Sequence, residues 1–330
     1  MAATKKQIEE LIARLEPTLR RAFQQAIDDW RRNVDLDALA DALKRGDIEA
    51  GIRAAGIQPA ALNGLLTATE TAYAAGGVAE METLAVKLLF NARHLRGEAH
   101  LRQYGAALVQ GLTDDTKAML RTVLTEGLAR GQGAMATARQ ARDFLGITDY
   151  DAKVALNFRR KLEADPKALL AELSAEKGKG NYDRRDRRLD GIIRRAVRDG
   201  KPIAQKDIDT IITTYKNKSV VARSKNIART ETLSAVNAGR DEAYRQAVES
   251  GKVPAQSVRK VWNSAHDKRV RDTHRELDGE SVGLNEAFTS SSGARLRYPG
   301  DKLAPLSEIC GCRCNLTYRI DHLSNVQFVK

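Results

Sequence analysis

Along residues 4 to 33, Ile8, Leu11, Ile12, Leu15, Leu19, Phe23, Ile27 and Trp30 recur at steps of three and four, which stacks apolar side chains on one face of an amphipathic helix. Pro17 falls inside that run. Lacking an amide hydrogen and crowding the preceding turn, it predicts a kink or two shorter helices meeting there. Residues 36 to 57 predict two short helices broken by Gly46 and Gly51, with Pro59 opening the next, and Gly76-Gly77 predicts a turn. Met81, Leu84, Leu88 and Leu89 carry a helical period into residues 78 to 110. Thr113-Asp114-Asp115 then has the chemistry of a helix start, ahead of a buried stripe of Met119, Leu120, Val123, Leu124 and Leu128. Gly131 and Gly133 end that helix, residues 134 to 145 form another stopped at Gly146, and Thr148 caps a third with Val154, Ala155, Phe158 and Leu162 inward.

Glu176 to Asn181 reads as a linker, with two glycines and no apolar side chain to bury. After it, Leu189, Ile192, Ile193, Ala196 and Val197 fall on one helix face. Ile208, Ile211, Ile212 and Tyr215 mark a short segment, and a long helix follows from about 219 to 250, ending at Gly251. Beyond Pro254 the texture changes. Residues 258 to 263 and 296 to 298 predict strands, and Leu316, Tyr318 and Ile320 alternate with polar residues in a third. The expected fold is mainly α: multi-helix N-terminal and middle regions with a small C-terminal α+β domain. The expected divisions are 1–175, a basic region at 176–253, and 254–330. Trp262, Leu277, Phe288, Leu296, Leu316 and Tyr318 are the expected core of the last, packed on the long helix.

Charge changes this picture because it is unevenly placed. Residues 1 to 150 carry 19 Lys/Arg and 19 Asp/Glu, so the net +12 of the 330-residue chain comes wholly from the remainder. Arg184, Arg187, Arg188, Arg194, Arg195 and Arg198 surround the apolar face at 189–197. They suit a duplex-DNA backbone or an acidic protein partner, or else pair with Asp183, Asp186 and Asp190 on a solvated helix. Only Tyr182 is interleaved, which disfavours a reader that stacks single-stranded bases. No apolar run is long enough to cross a bilayer, and the first residues lack a signal-peptide core, so the expected compartment is the cytoplasm in which the chain is made.

Candidate chemistry gathers between Trp262 and Tyr318. Cys310, Cys312 and Cys314 with His274 offer the four ligands of a structural zinc site, His266 being the alternative imidazole; small thiols buried for packing are the competing reading. A hydrolytic metal centre built from His266, Asp267, His274 and Asp278 is a further alternative, as a metal-dependent nuclease acting on nucleic acid. Phosphate-cradling loops, nucleophile elbows and dinucleotide fingerprints are missing from the sequence.

The ordered set of Trp262, His266-Asp267, Leu277-Asp278-Gly279, Phe288, Tyr298-Pro299-Gly300-Asp301 and Gly311-Cys312-Arg313-Cys314 resembles the C-terminal signature of tailed-phage minor head proteins, the head-morphogenesis family. Ile227-Ala228-Arg229-Thr230-Glu231 resembles the helix that precedes this domain in the family. Gly311 stands where the family has Asn, and Cys310 is an additional thiol. The resemblance implies a structural, non-enzymatic minor capsid protein of the phage head that assembles in the host cytoplasm. It would contact the portal or the major capsid protein, or both, and packaged double-stranded DNA, with no membrane and no cofactor beyond the zinc alternative. Arg229, Glu231, Trp262, Asp278 and Tyr298 are then structural. Arg229 and Glu231, two residues apart on a helix, face different ways and need separate partners.

Overall fold

Pro17 lies inside an unbroken helix, α1 (Lys5–Asn33), in the computed structural model, which describes residues 3–84, 88–175 and 182–321. The expected break is absent because both sides are anchored: Ile8, Leu11 and Ile12 before the proline, and Leu19, Phe23, Ile27 and Trp30 after it, are all buried. Asp35 and Asp47 cap α2 (Leu36–Lys44) and α3 (Ile48–Ala54), each accepting from a backbone N–H three residues on. Gly46 turns between them with a positive φ of 72°, whereas Gly51, expected to break a helix, lies within α3. A 3-10 turn at Pro59–Leu62 leads into α4 (Asn63–Thr83).

Gly76-Gly77 is not a turn but the middle of α4. A side chain on Gly76 would come within 2.2 Å of the Val236 carbonyl oxygen, and one on Gly239 within 1.9 Å of the Tyr73 carbonyl oxygen. The glycines therefore let two helix backbones touch. The helical period expected through Leu88 and Leu89 also stops early: α4 ends at Thr83, Leu89 is exposed, and α5 (Leu95–Ala129) begins beyond. Thr113 starts no helix. It is interior to α5 and donates its hydroxyl back to the Val109 and Gln110 carbonyls. The stripe of Leu112, Thr116, Met119 and Leu120 is buried without interruption there, so packing favours one helix.

Next come α6 (Ala134–Phe144), α7 (Asp149–Ala164) with Thr148 as its cap, α8 (Pro166–Ala175) and α9 (Asp190–Asp199). The expected linker at 176–181 lies outside the described residues. The segments expected apart at 208–215 and 219–250 join in a single 45-residue helix, α10 (Gln205–Glu249). The C-terminal part holds β1 (Val258–Asn263), α11 (Asp272–Glu276), β2 (Ser281–Gly283), β3 (Phe288–Thr289), β4 (Arg295–Leu296), α12 (Leu306–Ile309) and β5 (Asn315–Ile320). Strand β1 pairs antiparallel with both β2 and β5, and β3 with β4; Tyr298, expected at a strand's end, lies beyond β4. The chain is thus mainly α with a small C-terminal α+β domain.

The described residues form two compact units, each assembled from separated stretches. One draws on Met1–Phe23, Leu62–Leu108 and Lys225–Lys330, the other on Gln24–Ala61 and Val109–Ser224. Residue 175 falls inside the second and residue 253 inside the first. In the first, Trp262, Leu277, Phe288, Leu296, Leu316 and Tyr318 are all buried, and the Tyr318 ring stacks on Tyr244 of α10 with centroids 4.2 Å apart. In the second, Phe158 of α7 lies between Tyr182 and Tyr215, with centroids 4.6 and 6.2 Å away.

Candidate metal centre

His274 is placed by α11, a short helix one connection after the central strand β1. Its ring meets the edge of the Trp262 indole, centroids 5.1 Å apart, and is almost wholly enclosed. Across from it, α12 ends at Ile309, and Gly311 reverses the chain with a φ of 63°, open to glycine without strain. The reversal delivers Cys312 and Cys314 to the same side. Their sulfurs lie 3.5 and 3.6 Å from Nδ1 of His274, and the three ligand atoms all fall within 4.8 Å of one another. Cys310 does not join them: it is exposed, on the far side of the glycine reversal, and its backbone is what is engaged, its N–H by the Leu306 carbonyl and its carbonyl by Arg271. The four-ligand expectation is therefore corrected to three residues.

The other imidazole nitrogen faces Glu308. Nε2 lies 2.9 Å from Oε2, close enough for an ionic contact, although its N–H direction misses a hydrogen bond. Glu308 is itself held, accepting from Thr273 at 3.0 Å and from Ser292 at 2.6 Å. Burial opposes its charged form, but these bonds and the nearby His274 and Arg271 outweigh that and hold its carboxyl below the usual range. Between the thiols, the hydrogen bond from Cys314 keeps Cys312 below its ordinary value in spite of burial. The same contact with Cys312, reinforced by burial, pushes Cys314 well up.

The alternative hydrolytic grouping is not assembled. His274 belongs with the thiols, Asp267 is bonded by Arg313 at 2.6 Å, and Asp278 accepts the Ser264 N–H at 2.6 Å with His266 Nε2 3.6 Å away. Asp278 thus ties the turn between α11 and β2 to the end of β1, and Gly279, with a φ of 80°, completes that turn. Of the residues assigned to packing, Arg229 pairs with Glu16 at 3.4 Å and Glu231 with Lys302 at 2.7 Å. Burial raises the Glu231 carboxyl even with that lysine beside it. Tyr298 is buried, and the turn after it docks on α10: Asn237 donates to the Pro299 carbonyl at 2.9 Å.

Two residues that matter here were not singled out from sequence. Glu308 orients the back of His274, and Thr230 accepts the Gly311 N–H at 2.9 Å, steadying the reversal that presents the thiols. Thr230 was legible as part of the Ala-Arg-Thr-Glu block. A carboxylate two residues before a cysteine run is too common to have marked Glu308.

The basic helix resolves unevenly. Arg184 pairs with Asp151, Arg185 with Asp190, Arg188 with Asp186 and Arg198 with Asp199. Arg187, Arg194 and Arg195 are exposed and have no ion pair among the described residues. Only Ile193 of the apolar face is fully buried.

The profile of the family described as Phage Mu protein F like protein matches residues 118–317. The minor head protein GP7 of Bacillus phage SPP1 is 37% identical over 101 residues, 31% of each chain. The NAD(+)--arginine ADP-ribosyltransferase EFV of Enterococcus faecalis is 33% identical over 102 residues, 30% of this chain and 19% of that protein. The chain thus spans less than a third of the length of either relative, and no solved structure matches it. With the family profile covering more than half of its residues, the chain belongs to the Phage Mu protein F like family.

Proposed function

We propose that this protein is a structural minor component of a tailed-phage head, built into the particle during assembly in the host cytoplasm and carrying no catalytic step of its own. The observation that carries the reading is the family match over 118–317, joined by the likeness to a protein named as a minor head protein. Its partners are the portal or the major capsid protein. No helix among the described residues is long and apolar enough to cross a membrane. The stretch shared with the ADP-ribosyltransferase is under a fifth of that protein, the extent of a module common to both chains rather than of an enzyme.

Mass spectrometry of purified particles, with portal-deficient particles alongside, tests this. Presence in normal heads and loss without portal is expected; absence from both heads and assembly intermediates overturns it.

Packaged DNA is the second partner proposed, through Arg187, Arg194 and Arg195, which are exposed and have no ion pair among the described residues. Changing these three to Gln should weaken duplex binding at low salt and flatten its salt dependence by about one unit of slope for each phosphate no longer neutralised. Equal binding by Arg188→Gln, which removes a paired arginine, and by the triple variant would show that these side chains do not meet the DNA.

A further inference from the structure

The geometry points to a three-residue zinc site: Nδ1 of His274 and the sulfurs of Cys312 and Cys314 hold one Zn²⁺, with an exchangeable ligand in the fourth position and Cys310 taking no part. The distances fit the ion. Zinc bonds of about 2.3 Å to sulfur and 2.0–2.1 Å to nitrogen, opened to a tetrahedral angle, set each sulfur roughly 3.6 Å from the nitrogen. The two separations here are 3.5 and 3.6 Å. Hydrogen bonds between thiols and an imidazole reach similar lengths, so spacing alone does not separate the two cases.

The surroundings do. All three ligands are buried, and a divalent ion with two thiolates and a neutral imidazole has no net charge, so enclosing it costs little. Binding displaces the protons carried by the two sulfurs and releases them to solvent. With Nδ1 on the metal, the imidazole proton must sit on Nε2, the side on which Glu308 lies 2.9 Å away. A carboxylate behind a metal-bound histidine fixes its tautomer and ring angle, and here the carboxylate is itself fixed by Thr273 and Ser292. Thiolate-rich soft donors select zinc or copper(I) over harder ions.

The full chain, produced in zinc-supplemented medium and purified without chelator, should carry ~1 zinc per chain by elemental analysis. Cobalt(II) reconstitution should show thiolate-to-cobalt charge transfer and the intense visible bands of a tetrahedral ion. Cys312→Ala and Cys314→Ala should abolish both signals, while Cys310→Ala keeps both. Should the first two variants fail to fold, Glu308→Gln leaves all three ligands in place and should weaken zinc about 10- to 100-fold in competition with a chromogenic chelator. Metal-free wild-type protein with no cobalt spectrum overturns the site. Loss of metal in Cys310→Ala equal to that in Cys314→Ala overturns the three-residue form. Neither result touches the proposed place of the protein in the head.

Discussion

The Arg240 guanidinium of α10 lies 2.6 Å from the Glu80 carboxylate of α4, and neither side chain reaches solvent. Arg240 also donates to the Asn315 side chain at 2.6 Å and to the Leu316 carbonyl at 2.9 Å, while Glu80 accepts from the Tyr244 hydroxyl at 3.1 Å. One buried pair thus ties α4, α10 and β5 together. Removing a single partner strands the other charge. Glu80→Leu or Arg240→Met should each cost about 3–5 kcal/mol in urea unfolding, and the double variant less than their sum. Additive losses would show that the two groups act separately.

The contact of α4 with α10 rests on missing side chains. Gly239→Ala and Gly76→Ala should lower the melting temperature severely, because each new methyl meets a backbone carbonyl that cannot move without shifting a helix. Gly111→Ala, within α5 and facing open space, should stabilise by about 0.5–1 kcal/mol. If the three variants melt alike, the close crossing does not exist in solution.

That crossing also shows what a sequence reader can and cannot see. Stripes such as Val154, Ala155, Phe158 and Leu162, and caps such as Thr148, are local, and they placed α7 correctly. Gly76-Gly77 carries the same letters whether it turns a chain or admits a neighbouring helix, and only the partner about 160 residues away decides. The same limit governs the metal centre. Spacing grouped three cysteines, yet Gly311 turns Cys310 outward, and Glu308 reaches His274 only through the fold. The arginines were legible as a basic helix, but which of them remain uncompensated depends on where Asp151 and Asp186 stand.

Trp262 is fully buried between His274 and Phe288, and its indole nitrogen has no hydrogen-bond partner. Its contribution is therefore area rather than a polar contact. Trp262→Ala should cost about 3–5 kcal/mol, and Trp262→Phe clearly less, since no bond goes with the nitrogen. Equal destabilisation by the two would mean that the indole N–H is satisfied after all.

Lys260 offers a test by pH. Its side chain is enclosed in β1, donating to the Glu286 and Arg297 carbonyls at 2.8 and 3.0 Å, with Asp241 3.9 Å away. Burial pushes its amine down to about 8 from 10.5, with Arg245 and Arg297 adding to the shift and Asp241 opposing it. The folded protein thus gives up this proton near pH 8 while the unfolded chain keeps it to about 10.5. Between those values the unfolded state binds more protons, so stability attributable to Lys260 rises with pH; below pH 8 its charged form carries the full penalty. That penalty is roughly 3 kcal/mol at most. Lys260→Met removes the titration together with two hydrogen bonds, so its absolute stability is a poor readout, and the difference between wild type and variant against pH is the informative one. Wild type should gain on the variant from about pH 8 to 10, below the range where buried tyrosines complicate the comparison. A constant difference across that interval would show that Lys260 keeps its proton, stabilised by the two carbonyls and Asp241.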